Sequence, residues 1–382
     1  MTKKYNFTVI GGGLVGCLAS IVLSKKNYSI CLIEKKSFKT IIPDNFSPLS
    51  LTINTIDFLK KNRLWDDGIF KSSEINKLTI KLFNSFNVVK FTSDDLNGEK
   101  LGSIIDKSSF LSFLRDKCLK DQNIDIVDEI DLNLETNTSP FQISLIQTKS
   151  EIMSENLIVT DGANSQLAKK LNMKSLALSY KQTSFMLNVN FKSVSGGAFQ
   201  VFTKKGIFAI LPYNDNSVSI VASVYDDFID DFNFESENAN IHLLESELCP
   251  FIKGIHNPIL LYKYPLNTTR LVTWTRQNII FLGNSSQLLH PFGAQGFNFA
   301  VDCVKEIDNH SMELFIDNEL SSDLIETINM KRNTVLNRID FTSSALMKNN
   351  ILANLSSSFF SKAMNSSATL RKSILKKLVG VN

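Results

Sequence analysis

The stretch Phe7-Thr8-Val9-Ile10-Gly11-Gly12-Gly13-Leu14-Val15-Gly16 decides how the N-terminal part of the chain folds. Its first four residues are apolar or β-branched and predict a buried parallel strand. The glycines follow with the G-x-G-x-x-G spacing, and a helical pattern then runs to about Lys26. Residues 29–33 predict a second strand, which Glu34 ends. A strand, a glycine turn, a helix, a strand and an acid in this order predict a dinucleotide-binding unit. The alternative is a glycine-rich turn in an unrelated α/β protein.

Each part of this unit has a physical role toward a dinucleotide. Gly11 permits the tight turn, Gly13 lets the backbone approach a pyrophosphate, and Gly16 lets the helix pack on the strand. The N–H groups at the helix start offer hydrogen bonds and partial positive charge to the phosphates. The carboxylate of Glu34 can accept hydrogen bonds from a ribose diol. These residues alone do not separate FAD from NAD.

A second apolar strand, residues 156–160, runs into Asp161-Gly162. A strand that ends in Asp-Gly predicts a sharp turn in which the Asp side chain caps the next backbone N–H groups. Taken by itself, this segment favours an ordinary strand–turn–helix corner.

A third apolar strand, residues 278–282, is followed by an irregular loop and a helix. Glycine and proline punctuate residues 283–296, and a helical pattern runs from near Gln295 toward Ile307. A second helix N-terminus therefore follows a loop of small residues, where it can stabilise negative charge on a reduced flavin ring. His290, in this loop, is interpreted either as a structural or as a catalytic histidine.

These three segments resemble the fingerprints of the class A flavoprotein aromatic hydroxylases, in particular the ubiquinone-biosynthesis hydroxylase family. That family has a G-x-G-x-x-G near the N-terminus, an Asp-Gly segment in mid-chain and a Gly-Asp…His-Pro…Gly-Gln-Gly-x-Asn segment late in the chain. The segments that carry the resemblance here are residues 9–16, Asp161-Gly162 with Tyr180-x-Gln182, and His290-Pro291 with Gln295-Gly296-x-Asn298. The resemblance covers nearly the whole chain.

The resemblance implies an α/β fold, with a Rossmann-like FAD-binding domain, an interleaved β-sheet substrate domain and C-terminal helices. The implied boundaries are 1–72, 100–178 and 268–330 for the discontinuous FAD-binding domain, 73–99 and 179–267 for the substrate domain, and 331–382 for the C-terminal helical region.

The resemblance also implies the cofactors and the residues that bind them. FAD is the expected cofactor, NAD(P)H is the expected co-substrate, and no metal is expected. The residues expected to bind FAD lie in or beside the three motifs: Gly11, Gly13, Leu14, Val15, Gly16, Glu34, Lys35, Asp161, Gly162, Gly283, Asn284, Pro291, Gly293, Gln295, Gly296 and Asn298. No acid–base side chain is demanded, and the backbone at Pro291 and Gly296 is expected to face the flavin ring.

The implied activity is FAD-dependent hydroxylation of the aromatic ring of a polyprenylated phenol in ubiquinone biosynthesis, with NAD(P)H and O2 as co-substrates. Four departures from the family pattern motivate an alternative, a flavin-poor family member that acts as a binding or assembly component of the same pathway. Ser47 and Ala168 stand where the family has arginines, and Asn284 stands where it has Asp. Ala294 adds a Cβ where the backbone approaches the flavin. A flavin reductase or dehydrogenase of the same fold is the third interpretation.

Composition limits the partners and the compartment. The net charge is +3 and the lysines are spread along the chain, which argues against a nucleic-acid partner. The five cysteines form no C-x-x-C pair, so zinc and disulfides are disfavoured. No apolar run approaches the ~18 residues that span a bilayer, and we expect a cytoplasmic protein. Residues 370–379 are basic and amphipathic. They predict either a helix packed on the body or one that contacts the inner-membrane surface, where a ubiquinone-biosynthesis complex would be a partner.

Overall fold

A computed structural model of the chain describes residues 2–39, 45–65, 68, 70, 72–83, 88–135, 140–232, 234, 240–310, 315–316, 319–346 and 361–379. The labelled helices are α1 (Leu14–Ser24), α2 (Ile53–Lys61), α3 (Lys107–Leu119), α4 (Gln166–Lys170), α5 (Ile241–Leu248), α6 (Gln295–Asn309), α7 (Ser322–Leu346) and α8 (Ala368–Val379). The strands are β1 (Lys3–Ile10), β2 (Ile30–Glu34), β3 (Pro48–Thr52), β4 (Ser72–Ile75), β5 (Lys77–Lys81), β6 (Val88–Thr92), β7 (Gly102–Asp106), β8 (Ile124–Asp128), β9 (Leu132–Glu135), β10 (Phe141–Leu145), β11 (Ser150–Val159), β12 (Ser175–Asn190), β13 (Ser193–Val194), β14 (Ala198–Phe202), β15 (Gly206–Pro212), β16 (Ser217–Tyr225), β17 (Ile252–Lys253), β18 (His256–Leu271), β19 (Thr275–Arg276), β20 (Ile279–Phe281), β21 (Gln287–Leu288), β22 (Phe315–Ile316) and β23 (Glu319–Leu320).

The first sheet carries the predicted dinucleotide-binding unit. Its strand order is β19-β20-β11-β1-β2-β8, with β10 and β9 joined to it through β11. The pairs β1–β2, β1–β11, β2–β8 and β11–β20 are parallel. Helix α1 is apolar around its circumference, and every residue in it except Val15 is buried, which suits a helix enclosed by other elements. The predicted strand, glycine turn, helix and strand are therefore confirmed.

The second sheet has the order β21-β18-β12-β16-β15-β14-β5-β6. Because side chains alternate along a strand, β15 presents Phe208 and Ile210 to one face and Ala209 and Leu211 to the other. Phe208 and Ile210 belong to the core beneath α5, whereas Ala209 and Leu211 line a cavity. Strand β12 runs across the predicted boundary at residue 178, and the domain boundaries themselves stay a prediction.

Two smaller parts complete the architecture. Strands β3, β7 and β4 form an antiparallel sheet beside α2. Helix α7 packs on α6, and α8 packs on the 3₁₀ turn Ser93–Leu96. Of the predicted helical region 331–382, residues 347–360 and 380–382 lie outside the described ranges. Within those ranges, every helix is too short or too polar to cross a bilayer.

Candidate functional site

The first glycine turn has no room for side chains at two of its positions. Gly11 has φ +108°, and a Cβ there would lie 2.5 Å from the carbonyl oxygen of Thr160. A Cβ at Gly16 would clash with the carbonyl oxygen of Gly11. The Thr160 hydroxyl donates to the carbonyls of Ile10 (3.0 Å) and Gly11 (2.8 Å). The end of β11 therefore holds the turn that follows β1.

Three other glycines face open space, one in each motif. Apart from chain neighbours and the backbone of the same helix, no heavy atom of the described residues lies within 4 Å of the position that a Cβ would take at Gly13, Gly162 or Gly296. Side chains at these positions would occupy space that a ligand needs in order to reach the backbone. Gly283 in turn lies against α1, because a Cβ there would be 3.1 Å from Cγ2 of Val15. The three motifs thus meet at the carboxyl ends of β1, β11 and β20.

The N-terminus of α1 is suited to bind an anion. Gly13 is the N-cap residue and supplies no side-chain cap. The first backbone bond of the helix, among the described residues, runs from the Cys17 N–H to the Gly13 carbonyl at 2.9 Å. The N–H groups of Leu14, Val15 and Gly16 precede it, and first-turn N–H groups have no intrahelical partner. These groups and the helix dipole offer a site for a pyrophosphate.

Two charged side chains contact the glycine turn from opposite sides. Oε2 of Glu34 accepts from the Gly12 N–H at 2.6 Å. Nε of Arg115 donates to the Gly12 carbonyl at 3.3 Å, and the guanidinium stacks 4.8 Å from the centre of the Phe38 ring. Lys35 points elsewhere, since its Nζ lies 2.9 Å from Oδ1 of Asp131 at the surface.

Sequence reasoning did not find Arg115. It lies on α3, far along the chain from the glycine turn, and no local pattern marks it. It brings a positive charge to the turn in a protein that has Ser47 and Ala168 at positions where the resemblance implies arginines. The backbone of both residues is held by side chains. The Ser47 N–H donates to Oδ1 of Asp106 at 2.9 Å, and the Ala168 N–H donates to the Ser165 hydroxyl at 3.0 Å.

The Asp-Gly turn has a carboxylate oxygen to spare. Oδ2 of Asp161 accepts from the backbone N–H groups of Gln166 (3.0 Å) and Leu167 (3.4 Å), which confirms the predicted cap. Oδ1 of Asp161 is buried and has no hydrogen-bond partner among the described residues. A buried acceptor without a partner is costly. A hydroxyl group of a bound cofactor would satisfy it.

The third motif ends in a loop of unusual backbone geometry. Gly293 (φ +66°) and Ala294 (φ +54°) both adopt left-handed conformations, and Ala294 is the N-cap of α6. Nε2 of Gln295 donates to the Gly293 carbonyl at 3.0 Å. Pro291 precedes this turn, and the side chain of Asn284, earlier in the motif, is exposed. The start predicted for the second helix is confirmed.

Asn298 joins α6 to the β3–α2 corner. Its Nδ2 donates to the carbonyls of Ser50 (3.0 Å) and Ala294 (2.7 Å). Its Oδ1 accepts from the Thr52 N–H (3.0 Å) and the Thr55 hydroxyl (2.8 Å). The amide therefore binds the protein on all sides, and a contact with the cofactor stays a prediction.

His290 is a buried, neutral histidine. Burial lowers its pKa to about 4. Its Nε2 donates to Oε1 of Gln182 at 3.0 Å, and its ring meets Tyr180 edge to face at 4.8 Å. The bond to Gln182 in β12 and the contact with Tyr180 support the structural interpretation of His290, which ties the loop before α6 to the second sheet.

Three features fit a flavin dinucleotide: the open space at Gly13, Gly162 and Gly296, the uncapped N-terminus of α1, and Oδ1 of Asp161, which has no partner among the described residues. The family described as FAD binding domain matches residues 4–339. The chain belongs to this family. FAD is thereby confirmed as the cofactor, while the residues predicted to bind it stay a proposal.

Relatives of known name agree with this assignment. The ubiquinone biosynthesis monooxygenase COQ6 of Dictyostelium discoideum is 23% identical, over 80% of this chain and 76% of its own length. The 3-demethoxyubiquinol 3-hydroxylase of Escherichia coli is 22% identical, over 76% of this chain and 75% of its own length. These two relatives confirm the resemblance and the predicted class of enzyme, an FAD-dependent monooxygenase.

Solved structures share the fold. The p-nitrophenol 4-monooxygenase PnpA of Pseudomonas putida superimposes with a TM-score of 0.77 at 14% identity, covering 99% of each chain. PqsL, a probable FAD-dependent monooxygenase of Pseudomonas aeruginosa, gives 0.73 at 13% identity, covering 94% of this chain and 100% of its own. Both confirm the predicted α/β architecture with a Rossmann-like domain.

A cavity of about 170 Å³ lies between the loop before α6 and the second sheet. Pro291, Gly293, Ala294 and Gln295 form its floor on the loop side. The sheet side is mostly aliphatic, and the lining residues among those described include no ionisable side chain. The loop predicted to face the flavin ring therefore borders a ring-sized apolar space.

Proposed function

We propose that the protein hydroxylates the aromatic ring of a polyprenylated phenol of ubiquinone biosynthesis, with NAD(P)H and O2 as co-substrates. The observation that carries this proposal is the apolar cavity of about 170 Å³ against the loop before α6. An apolar cavity of about 150 Å³ in another protein holds benzene. The space therefore suits one aromatic ring with small substituents. The two ubiquinone-biosynthesis relatives support this class of substrate.

The bound FAD would supply the redox chemistry and the activation of O2. The protein supplies binding, orientation and a dry environment. Helix α6 directs its N-terminal N–H groups toward the loop, where they would stabilise negative charge. The aliphatic side chains of Leu78, Ile80, Leu211 and Val221 exclude water from the cavity. Since none of the described lining residues is ionisable, the ring would be held by shape and by polar groups such as those of Gln200 and the loop.

A second cavity offers a place for the polyprenyl chain. It measures about 260 Å³, and His290, which directly precedes Pro291 of the first cavity, is among its lining residues. Most of its other walls are apolar, including Leu178, Leu288, Leu336 and Ile339. A polyprenyl chain dissolves in lipid, so the substrate would be found in the membrane. We extend the proposal to the location of the protein, which we place in the cytoplasm. It would take its substrate at the inner-membrane surface, alone or within a ubiquinone-biosynthesis complex.

The test uses the full chain with added FAD and 2-farnesylphenol as the substrate probe. We expect a flavin absorption spectrum, NADPH oxidation that rises when the phenol is added, and a product one oxygen atom heavier by mass spectrometry. The Ala209→Phe variant should fill the cavity and abolish product while FAD stays bound. Ala368→Phe, the same substitution at an exposed position, is the matched control.

Two results would separate the alternatives. A protein that binds no FAD even when it is added would be the flavin-poor binding or assembly component. A protein that binds FAD and oxidises NADPH at a rate independent of the phenol, without oxygenated product, would be a reductase or dehydrogenase. Either result refutes the proposed function.

A further inference from the structure

The C-terminal helix α8 reaches the cavity beside the flavin loop. Leu375 in this helix lines the same cavity as Pro291 and Gln295, and only 1% of its surface is exposed. It packs in one apolar cluster with residues of the β3–α2 corner and of the second sheet, among them Ile53 and Leu211. A residue near the end of the sequence thus forms part of the wall of a site whose other described lining residues lie between positions 50 and 295.

We propose that Leu375 is a specificity-determining residue, whose side chain limits the size of the ring substituents that the cavity accepts. This inference rests on the proposed function, because it assigns the cavity to the aromatic ring. In a space of about 170 Å³ a ring leaves little room for further atoms, so each wall side chain restricts the substituents. One methylene more or less in such a pocket changes discrimination by about tenfold or more.

Polar contacts hold α8 in place, and they fix the position of the Leu375 side chain in the cavity wall. Nε of Arg371 lies 2.8 Å from Oδ1 of Asp95, whose side chain is only 4% exposed. A second nitrogen of Arg371 donates to the Met364 carbonyl at 3.3 Å. Just before the helix, Nδ2 of Asn365 donates to the Val88 carbonyl at 2.9 Å. Directional bonds such as these specify one seating of the helix, and therefore one position of Leu375.

The two faces of α8 agree with this seating. Ile374 and Leu375 contact the apolar cluster around the cavity, while Ser373 and Lys376 are exposed. An amphipathic helix that packs on the body presents this pattern. The structure therefore favours the packed alternative that the sequence left open for residues 370–379.

The experiment measures binding of 2-geranylphenols that carry a methyl, an ethyl or a propyl group at the other ortho position. Their dissociation constants come from the change in fluorescence of the FAD-loaded full chain. Leu375→Ala should favour the propyl probe over the methyl probe by about tenfold relative to wild type. Leu375→Phe should shift the ratio in the opposite direction, and it keeps the test valid if the alanine variant folds poorly.

Met364→Ala is the matched control, because Met364 is fully buried in the same cluster but does not line the cavity. It should lower stability and leave the ratio of dissociation constants unchanged. An unchanged ratio in both Leu375 variants, or an equal change in Met364→Ala, would overturn the inference while the proposed function stands. A wild-type protein that binds none of the probes would refute the proposed function, and this inference with it.

Discussion

Replacing Asn298 with alanine should destabilise the protein even when no cofactor is bound. The side chain is 5% exposed, and its loss would leave the Thr52 N–H and the carbonyls of Ser50 and Ala294 without their present partners. A buried polar group left unsatisfied costs about 1–3 kcal/mol. Partial relaxation at the start of α6 lowers the sum, so we expect a loss of about 4 kcal/mol in the free energy of unfolding.

Urea denaturation of the apoprotein, followed by circular dichroism, checks this value. With a slope of about 3 kcal/mol per molar urea, the midpoint should fall by about 1 M. Asn284→Ala is the control, since the Asn284 side chain is exposed. It should change the free energy by less than about 0.5 kcal/mol. Equal urea midpoints for the two variants would refute the reasoning. Asn298 would then not stabilise the apoprotein, and its role would be limited to binding the cofactor.

Three further predictions concern the loop before α6 and the C-terminal helix. The pKa of His290 falls from 6.5 to about 4 on folding, so the stability that neutral His290 contributes is complete above pH 6.5 and is lost as the pH falls toward 4. The difference in unfolding free energy between wild type and His290→Gln should therefore change by about 3 kcal/mol between pH 7 and pH 4, and a difference independent of pH contradicts this. Ala294→Gly should raise stability by about 1 kcal/mol, because glycine tolerates the left-handed conformation at φ +54°, and a lower melting temperature would count against it. Arg371→Gln removes the charged partner of buried Asp95. The free energy that holds α8 on the body should fall by about 2 kcal/mol, which is below the cost of breaking a fully buried pair. The expected readout is faster proteolysis of the C-terminal segment in Arg371→Gln, with a rate close to that of wild type in Arg371→Lys.

Local patterns predicted the parts of the site that lie next to each other in the chain. The spacing of Gly11, Gly13 and Gly16 predicted a strand, a turn and a helix, because these glycines lie close together in one strand–turn–helix unit. The contact of the turn with Thr160, which follows β11, was not part of that pattern. The cap at Asp161 involves residues only a few positions away. The resemblance to a family then supplied the relation between motifs, which no local pattern contains.

The contacts that join distant segments could not be predicted in this way. Arg115 reaches Gly12 because α3 packs on α1, and nothing in the residues around Arg115 indicates that neighbour. Asn298 belongs to a motif that predicts a cofactor contact, but its amide binds backbone at Ser50 and Thr52. Periodicity showed that α8 is amphipathic, whereas its partner surface, including Asp95, depends on the tertiary fold.

The parallel pairing of β11 with β20 has a consequence for how this chain is made. Leu157, Ile158 and Val159 pair with residues 279–281, which the ribosome produces long afterwards. At about 5–20 residues per second, several seconds or more separate the two strands. During that interval a fully apolar strand edge would be free to pair with another nascent chain. We therefore expect yields of this protein to depend on chaperone supply and growth temperature.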